Sequence, residues 1–386
     1  MDRRARPRVA IVQDALPFVG GAERVLERVL ELFPEAPVFT LVYRPEPFNG
    51  TVIASHTVYT SFINRLPGAH RHHRWYLPLY PLAIEQLDLR PFDLVLSFSY
   101  AAAHGVMTRP NQLHISYTYT PMRQAWHHNQ DYLHAAGVSR QIIRLGAPLV
   151  LHYFRLWDQS AVKRVDQLIA CSRWVAGNIW RAYRRPAQVI YPPVEVERYQ
   201  FELPREGYYL AVSRLEPHKR LDLIVEAFAR SGLPLIIIGD GQERDRLSKL
   251  ATANIQFLGR QPDPIVADRL GRARGFVMAA EEDFGIAAVE AQAAGCPVIA
   301  YASGGALETV VDGKTGLLFR EQSAACLVQA VQEFERISAR FDVKILRRHA
   351  EQFNPQRFQD AFHSSVMGAW ERFMSGGDEI RVTPGY

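Results

Sequence analysis

Short apolar runs alternate with helix-periodic segments along this chain, and that alternation restricts the fold more than any other feature. The runs 208–212, 235–238 and 255–258 are four or five residues long and largely apolar, as strands buried on both faces of a parallel sheet must be. Between the first two lies 221–228 (Leu-Asp-Leu-Ile-Val-Glu-Ala-Phe), whose spacing predicts a helix opening near Lys219. The amino half repeats the pattern. Strands are predicted over 9–12, 38–42, 93–98, 113–117, 168–171 and 188–191, and a helix over 22–32 follows the turn at Gly20 and Gly21. Strand–helix alternation of this kind builds an α/β fold with helices on the faces of a parallel sheet. Pro192-Pro193 marks a stiff connection, because each proline fixes φ and removes a donor. Two α/β domains are therefore expected, over 1–200 and 201–354. Helix is expected over 322–340 and again over 355–373, where Phe358, Phe362, Val366 and Trp370 recur at helical spacing.

The chemistry concentrates in the second half. Glu282 and Glu290 stand eight positions apart, with Asp283-Phe284-Gly285-Ile286 between them reading as a loop that enters a helix. If most of that span is helical it rises about 12 Å, with one carboxylate at the helix start and the other two turns along. The free N–H groups of such a helix start suit a diphosphate, and a carboxylate can accept from two neighbouring hydroxyls of a sugar or ribose. Arg214 and Lys219 follow the strand at 208–212, on the edge where open α/β sheets take ligands. Arg214 brings a planar fork and Lys219 a point charge. Each feature alone has a plain reading as surface charge; their order along one strand–loop–helix series makes them specific. Gly239-Asp240-Gly241 invites a dinucleotide reading, but Arg244 stands where the third glycine belongs. Gly20 and Gly21 suggest a close backbone approach to a phosphate or leaving group, with a simple tight turn as the alternative.

Bulk properties exclude several classes. No uninterrupted apolar stretch reaches the ~20 residues needed to span a bilayer. Three scattered cysteines (Cys171, Cys296, Cys326) support neither a disulfide framework nor a zinc site, and point to a reducing cytoplasm. Residues 1–200 hold 23 Lys and Arg against 15 Asp and Glu, a basic surplus suited to an anionic membrane surface or lipid diphosphate. No nucleic-acid-binding module accompanies it, so nucleic acid is not an expected partner. The run from His70 to Tyr80, with Arg71, Arg74 and Trp75, is the candidate membrane patch; a loop and helix with inward-packed aromatics is the equal alternative. His70, His72 and His73 lack a nearby fourth ligand, and no Asp-x-Asp motif is present, so no metal and no other cofactor is expected.

Taken together these motifs resemble the family 4 retaining glycosyltransferases, which have two Rossmann-like domains facing across a cleft (the GT-B fold). The resemblance is carried by Ser213-Arg214-Leu215 with Lys219, Ile238-Gly239-Asp240-Gly241, Phe257-Leu258-Gly259-Arg260, and the Glu282-to-Glu290 motif. Ala294-Gly295-Cys296-Pro297-Val298-Ile299-Ala300, Ser303-Gly304-Gly305 and Asp312-Gly313-Lys314-Thr315-Gly316 complete the set. It is dense from 205 to 320 and thinner in the amino half, where Gly20-Gly21-Ala22-Glu23-Arg24 and Tyr119-Thr120-Pro121-Met122-Arg123 resemble a subgroup that builds bacterial surface polysaccharides. The resemblance implies an acceptor-binding first domain onto which the last helix (355–386) crosses back, and a second domain holding a nucleoside diphosphate sugar. It further implies transfer of a hexose, from a UDP-glucose or GDP-mannose class donor, to a glycan or lipid-linked acceptor.

Under that resemblance Arg214, Lys219 and the helix start at Phe284, Gly285 and Ile286 hold the diphosphate, and Glu290 holds the ribose. Glu282 holds the donor sugar, and Gly259 and Arg260 contact the base. Front-face attack is implied, with a donor phosphate oxygen taking the acceptor proton. His104, Tyr119 and Arg123 follow amino-domain strands and are expected to face the cleft. Relatives usually carry histidine at the place of Tyr119 and often lysine at that of His104, which leaves the acceptor side open. Two rivals remain at this level: an epimerase or phosphorylase on the same scaffold, and a non-catalytic nucleotide-sugar binder.

Overall fold

The computed structural model describes residues 6–126 and 140–376, in two compact units: residues 1–191 with 358–386, and residues 192–357. The division falls between Tyr191 and Pro192, at the start of the proline pair. In the first unit seven parallel strands are ordered β3-β2-β1-β4-β5-β6-β7. They are β1 (Val9–Gln13), β2 (Val38–Thr40), β3 (Val58–Thr60), β4 (Leu94–Ser99), β5 (Leu113–Thr118), β6 (Gln167–Ala170) and β7 (Gln188–Val189). Helices α1 (Gly21–Leu30), α2 (Arg140–Ala161) and α3 (Arg173–Tyr183) belong to this unit. In the second unit six parallel strands are ordered β10-β9-β8-β11-β12-β13. These are β8 (Tyr209–Val212), β9 (Leu235–Ile238), β10 (Ile255–Gly259), β11 (Gly275–Met278), β12 (Val298–Tyr301) and β13 (Gly316–Phe319). Its principal helices are α4 (Leu221–Ser231), α5 (Ile286–Ala293) and α6 (Ala324–Ile337). Both strand orders reverse direction at the first strand, the doubly wound Rossmann arrangement, so each unit carries a switch point where loops diverge.

The expected α/β fold is thus present in each half. Strands β3, β11, β12 and β13 were not among the expected elements. They are three or four residues long; β11, β12 and β13 are short runs in a covered sheet that carry no periodicity to mark them, and β3 is an exposed edge strand of three residues. Helix ends are signalled locally. Ser172 and Ser323 cap α3 and α6 by accepting from the backbone N–H of Val175 (3.0 Å) and Cys326 (3.2 Å). Gly232, with φ of 70°, closes α4.

Helix α7 (Pro355–Met374) completes the first unit. Its periodic side chains Phe358, Phe362, Val366 and Trp370 enter the core formed by β1, β4, β5 and β6. The ring of Phe362 lies 5.9 Å from Phe98 and 5.5 Å from Phe358, and Phe358 meets Tyr117 edge-on at 6.0 Å. On its polar side, Gln359 Nε2 donates to the Arg28 carbonyl at 3.0 Å and to Glu31 at 2.8 Å, fastening it to α1. The chain therefore returns to its first sheet, as the resemblance implied.

Phe362 is 1% exposed, so Phe362→Ala leaves a cavity that the surrounding rings cannot refill. Its expected cost is about 3–5 kcal/mol, against about 1 kcal/mol for Gln359→Ala. Thermal or urea unfolding of the full chain checks this; equal and small effects would mean the helix is only loosely attached.

Candidate active site

Strands β8 and β11 are hydrogen-bonded neighbours at the point where the strand order of the second unit reverses. Loops leaving their carboxyl ends must diverge there, and they carry Arg214 with Lys219, and Glu282. The two loops meet. Lys219 Nζ donates to Glu282 Oε1 at 2.7 Å and Oε2 at 2.8 Å, with the side chains 16% and 21% exposed. A second link runs beneath them. Arg220 Nη1 donates to Gln322 Oε1 at 2.8 Å, and Gln322 Nε2 donates to the carbonyl of Ala279 at 2.9 Å, just before the glutamate loop. Arg220 adopts a left-handed φ of 53°, unfavourable for a side chain of its kind, and its contacts with Asp222 at 3.2 and 3.3 Å help to fix it there. Neither Arg220 nor Gln322 was singled out in the sequence. Their partners are distant along the chain, and no local pattern announces them.

The glycine motifs shape these loops. A Cβ at Gly239 would stand 1.8 Å from the Ser213 carbonyl oxygen, and one at Gly241 would stand 2.5 Å from that of Leu215. The Gly-Asp-Gly turn therefore serves as the backing on which the Arg214 loop rests, with Leu215 N donating to Asp240 O at 3.0 Å. On the other side Gly305 N donates to the Glu282 carbonyl at 2.7 Å, and a Cβ at Gly304 would stand 2.3 Å from that same oxygen. Ser303 Oγ donates to Glu281 at 2.5 Å. Arg214 itself is exposed.

Gly285, at φ 92°, turns the chain into α5, which opens at Ile286. Phe284 is buried against Phe353, with ring centroids 5.3 Å apart. The leading N–H groups of α5 have no intrahelical acceptor. Only 286–293 is helical, because the left-handed glycine interrupts the interval after Glu282. Half-buried Glu290 consequently stands about one turn from the helix start, not two, a rise of about 6 Å from Ile286. The far end of α5 is held by cations. Arg347 Nη1 donates to the Ala293 carbonyl at 3.4 Å, and Arg205 donates to that of Gly295. Gly259 ends the edge strand β10 at φ 68°, its carbonyl accepting from Gly239 N at 2.9 Å, and Arg260 beside it is exposed. Arg244 lies over this glycine, 3.4 Å from where a Cβ would stand.

In the first unit the candidates are more deeply engaged. Gly20 N donates to Glu23 Oε2 at 2.9 Å, so the third residue of α1 reaches back to satisfy the backbone N–H of the glycine before it. Gly21 opens α1. Tyr119 Oη donates to the Ala22 carbonyl at 2.9 Å, and burial pushes this phenol well above its ordinary value. It steadies the helix start and stays protonated. His104 was expected at the cleft but is buried. Its Nδ1 lies 2.8 Å from Ser99 Oγ, and its Nε2 lies 2.8 Å from Asp158 Oδ1 without hydrogen-bond alignment. Asp158 Oδ2 accepts from Trp126 Nε1 and Tyr183 Oη, both at 2.8 Å. An imidazole enclosed in this way braces α2 against the sheet. Arg123 opens a short helix, Arg123–Trp126, and is half-buried.

The anchor that sequence reading missed is Asp14. Its fully buried carboxylate accepts from the backbone N–H groups of Tyr100, Ala101, Ala102 and Ala103, at 2.6 to 2.8 Å. Burial pushes its pKa up while the four donors pull it down. The only sequence sign was a carboxylate interrupting an apolar strand.

The His70-to-Tyr80 run divides between the two expectations. Trp75 is exposed and stacked on His72, whereas Tyr80 is buried and Tyr76 Oη donates to the Pro67 carbonyl at 2.7 Å. Burial lowers the His73 pKa to about 4. Among the described residues no cluster of three His, Cys, Asp or Glu side chains could hold a metal ion, and no helix is long and apolar enough to cross a membrane.

The chain is similar to several known glycosyltransferases. The D-inositol 3-phosphate glycosyltransferase of Mycobacterium leprae is 29% identical over 242 residues, covering 55% of this chain and 56% of that protein. A Corynebacterium glutamicum GDP-mannose-dependent monoacylated alpha-(1-6)-phosphatidylinositol monomannoside mannosyltransferase is 40% identical over 122 residues, covering 28% of this chain and 32% of that protein. The chain spans about half the length of the first curated relatives it matches. Among solved structures, Anabaena HepE in complex with UDP superposes with a TM-score of 0.69 at 17% identity, over 94% of this chain and all of that one, so the two-unit GT-B fold is shared. Residues 195–352, which lie within the second unit, match the family described as glycosyl transferases group 1.

Proposed function

We propose that this chain transfers a hexose from a nucleoside diphosphate sugar to a hydroxyl of a glycan or lipid-linked acceptor. On this reading transfer retains the anomeric configuration, needs no metal, and serves bacterial surface polysaccharide synthesis at the inner face of the membrane. The observation that carries the reading is the Lys219–Glu282 pair at the sheet switch point, beside the start of α5. An ammonium group has three N–H donors, and Glu282 takes two. The third remains for a phosphate oxygen. Arg214 adds an exposed guanidinium on the same loop. Two cations and the helix start can together stabilise the charge that builds on a departing diphosphate. Glu282, neutralised by Lys219, is positioned to accept from donor-sugar hydroxyls. Glu290 takes the ribose, and Gly259 and Arg260 meet the base.

The acceptor side supports attack assisted by the donor. Tyr119 is committed to the Ala22 carbonyl and His104 is enclosed, so neither offers a free base. A donor phosphate oxygen taking the acceptor proton accounts for catalysis without one. The donor choice stays between the UDP-glucose and GDP-mannose classes, since one neighbour was solved with UDP and one relative is GDP-mannose-dependent. The basic surplus of residues 1–200 suits an acceptor held at an anionic membrane.

A thermal-shift screen should select one nucleotide class. At a hundredfold excess over Kd the expected stabilisation is about 2.7 kcal/mol. Turnover without acceptor would identify an epimerase or phosphorylase instead, and binding without transfer to any acceptor would identify a sensor.

Arg214→Ala should lower transfer about 100-fold, the usual scale for losing one preorganised donor to a developing anion. Lys219→Ala should do at least as much, since it also removes the counterion of Glu282. Activity should survive chelator. Loss with chelator and recovery with manganese would overturn the metal-free reading.

A further inference from the structure

Helix α2 presents an apolar stripe to solvent. Leu149, Tyr153 and Leu156 are 71%, 52% and 58% exposed and recur at i, i+4 and i+7, along about 10 Å of one helix face. The opposite face is fully used: Leu151, Phe154 and Asp158 are buried, and Trp157 Nε1 donates to Glu85 at 2.8 Å. The stripe is therefore not a misplaced core face. Single exposed leucines are ordinary, but three large side chains in one row on a 22-residue helix are not.

Helix α3 lies beside it, tied by Tyr183 Oη to Asp158 at 2.8 Å and by Gln159 Nε2 to the Ala182 carbonyl at 3.4 Å. Its outward residues are Arg173, Trp180, Arg181 and Arg184, with Trp180 51% exposed. Across 140–185 the chain has nine Lys and Arg against two acids, Asp158 and Asp166. Asp158 is buried, Asp166 is exposed beside Arg185, whose Nη2 donates to the Asp166 carbonyl at 3.2 Å, and Arg164 pairs with Glu85 at 2.9 Å; the outward cations of α3 are Arg173, Arg181 and Arg184. Leucine and tyrosine in a row on one helix, with tryptophan and arginine exposed on the neighbouring one, are the side-chain types of a surface lying in a membrane interface.

We propose that the exposed faces of α2 and α3 dock the first unit onto an anionic lipid surface, the leucine stripe entering the headgroup boundary and the arginines pairing with lipid phosphates. A second copy of the chain is a poorer occupant, because pairing these faces would bring two dense sets of cations together. This inference rests on the proposed work at an anionic membrane, and it places the contact on α2 and α3 instead of on the His70-to-Tyr80 run.

The test is co-sedimentation of the full chain with vesicles of equal parts phosphatidylcholine and phosphatidylglycerol, and with vesicles of phosphatidylcholine alone. Wild type should bind the anionic vesicles and release as salt rises. Leu149→Gln with Leu156→Gln keeps good helix formers and should weaken binding about tenfold or more. Arg181→Ser with Arg184→Ser should weaken it about fivefold per arginine at low salt. Both double variants should keep wild-type thermal stability and nucleotide binding, which separates this result from the fate of the donor reading. Binding that survives both double variants but falls with Arg71→Ser and Arg74→Ser would keep the membrane and overturn this face. A wild-type dimer abolished by the leucine changes, with no vesicle binding, would assign the stripe to a second copy and overturn it as well.

Discussion

Lys219 and Glu282 meet because two adjacent parallel strands, β8 and β11, release their chains in diverging directions at the same edge. Everything proposed for the second unit depends on that meeting. A glutamate left part-buried without a cation would resist ionisation, and a lysine without a carboxylate would be held less firmly. Together they form a nearly neutral pair, in which Glu282 takes two of the three ammonium N–H groups and the proposed role of the third is toward a phosphate. The backbone around them leaves little latitude. Gly239, Gly241 and Gly304 sit where a single added carbon would collide with carbonyl oxygens, and the Arg220–Gln322–Ala279 link couples the two loops. The site is therefore built mostly of loops, but loops whose positions are dictated by packing against one another.

The first unit shows the same topology turned to a different use. At its switch point, between β1 and β4, a buried carboxylate, Asp14, gathers four successive backbone N–H groups of the chain leaving β4. Where the second unit keeps its charges near solvent, the first spends its polar groups on holding its own backbone. Tyr119 on the Ala22 carbonyl and Glu23 on Gly20 follow the same rule, and His104 is enclosed by the side chains of Ser99 and Asp158. This contrast accords with one unit gripping a charged donor and the other presenting a shaped surface.

The residues facing solvent in the second unit were legible in the sequence because their chemistry is local. A strand, a cation and a helix start in order suffice to nominate Arg214 and Lys219, and the same reasoning nominates Glu290. Contacts made across sixty or a hundred residues were not legible. Nothing local pairs Lys219 with Glu282, or Arg220 with Gln322. Nor does local sequence distinguish an enclosed histidine such as His104 from one that meets substrate, since burial is decided by α2 closing over it. The left-handed Gly285 shortened the expected helix, and that one dihedral moved Glu290 a turn nearer its start. Short strands such as β11 escaped for want of length, although β11 carries the Glu282 loop into place.

The central claim is that Glu282 addresses the sugar while Glu290 addresses the nucleoside. Calorimetric titration of free UDP and GDP into wild type, Glu282→Gln and Glu290→Gln tests it most directly. The account predicts that Glu290→Gln weakens the nucleotide that wild type prefers, because its ribose contact is lost. Glu282→Gln should bind that nucleotide at least as tightly as wild type, because removing the carboxylate's charge leaves Lys219 free for phosphate, while transfer from the intact donor collapses. Equal weakening of free nucleotide by both substitutions would contradict the assignment.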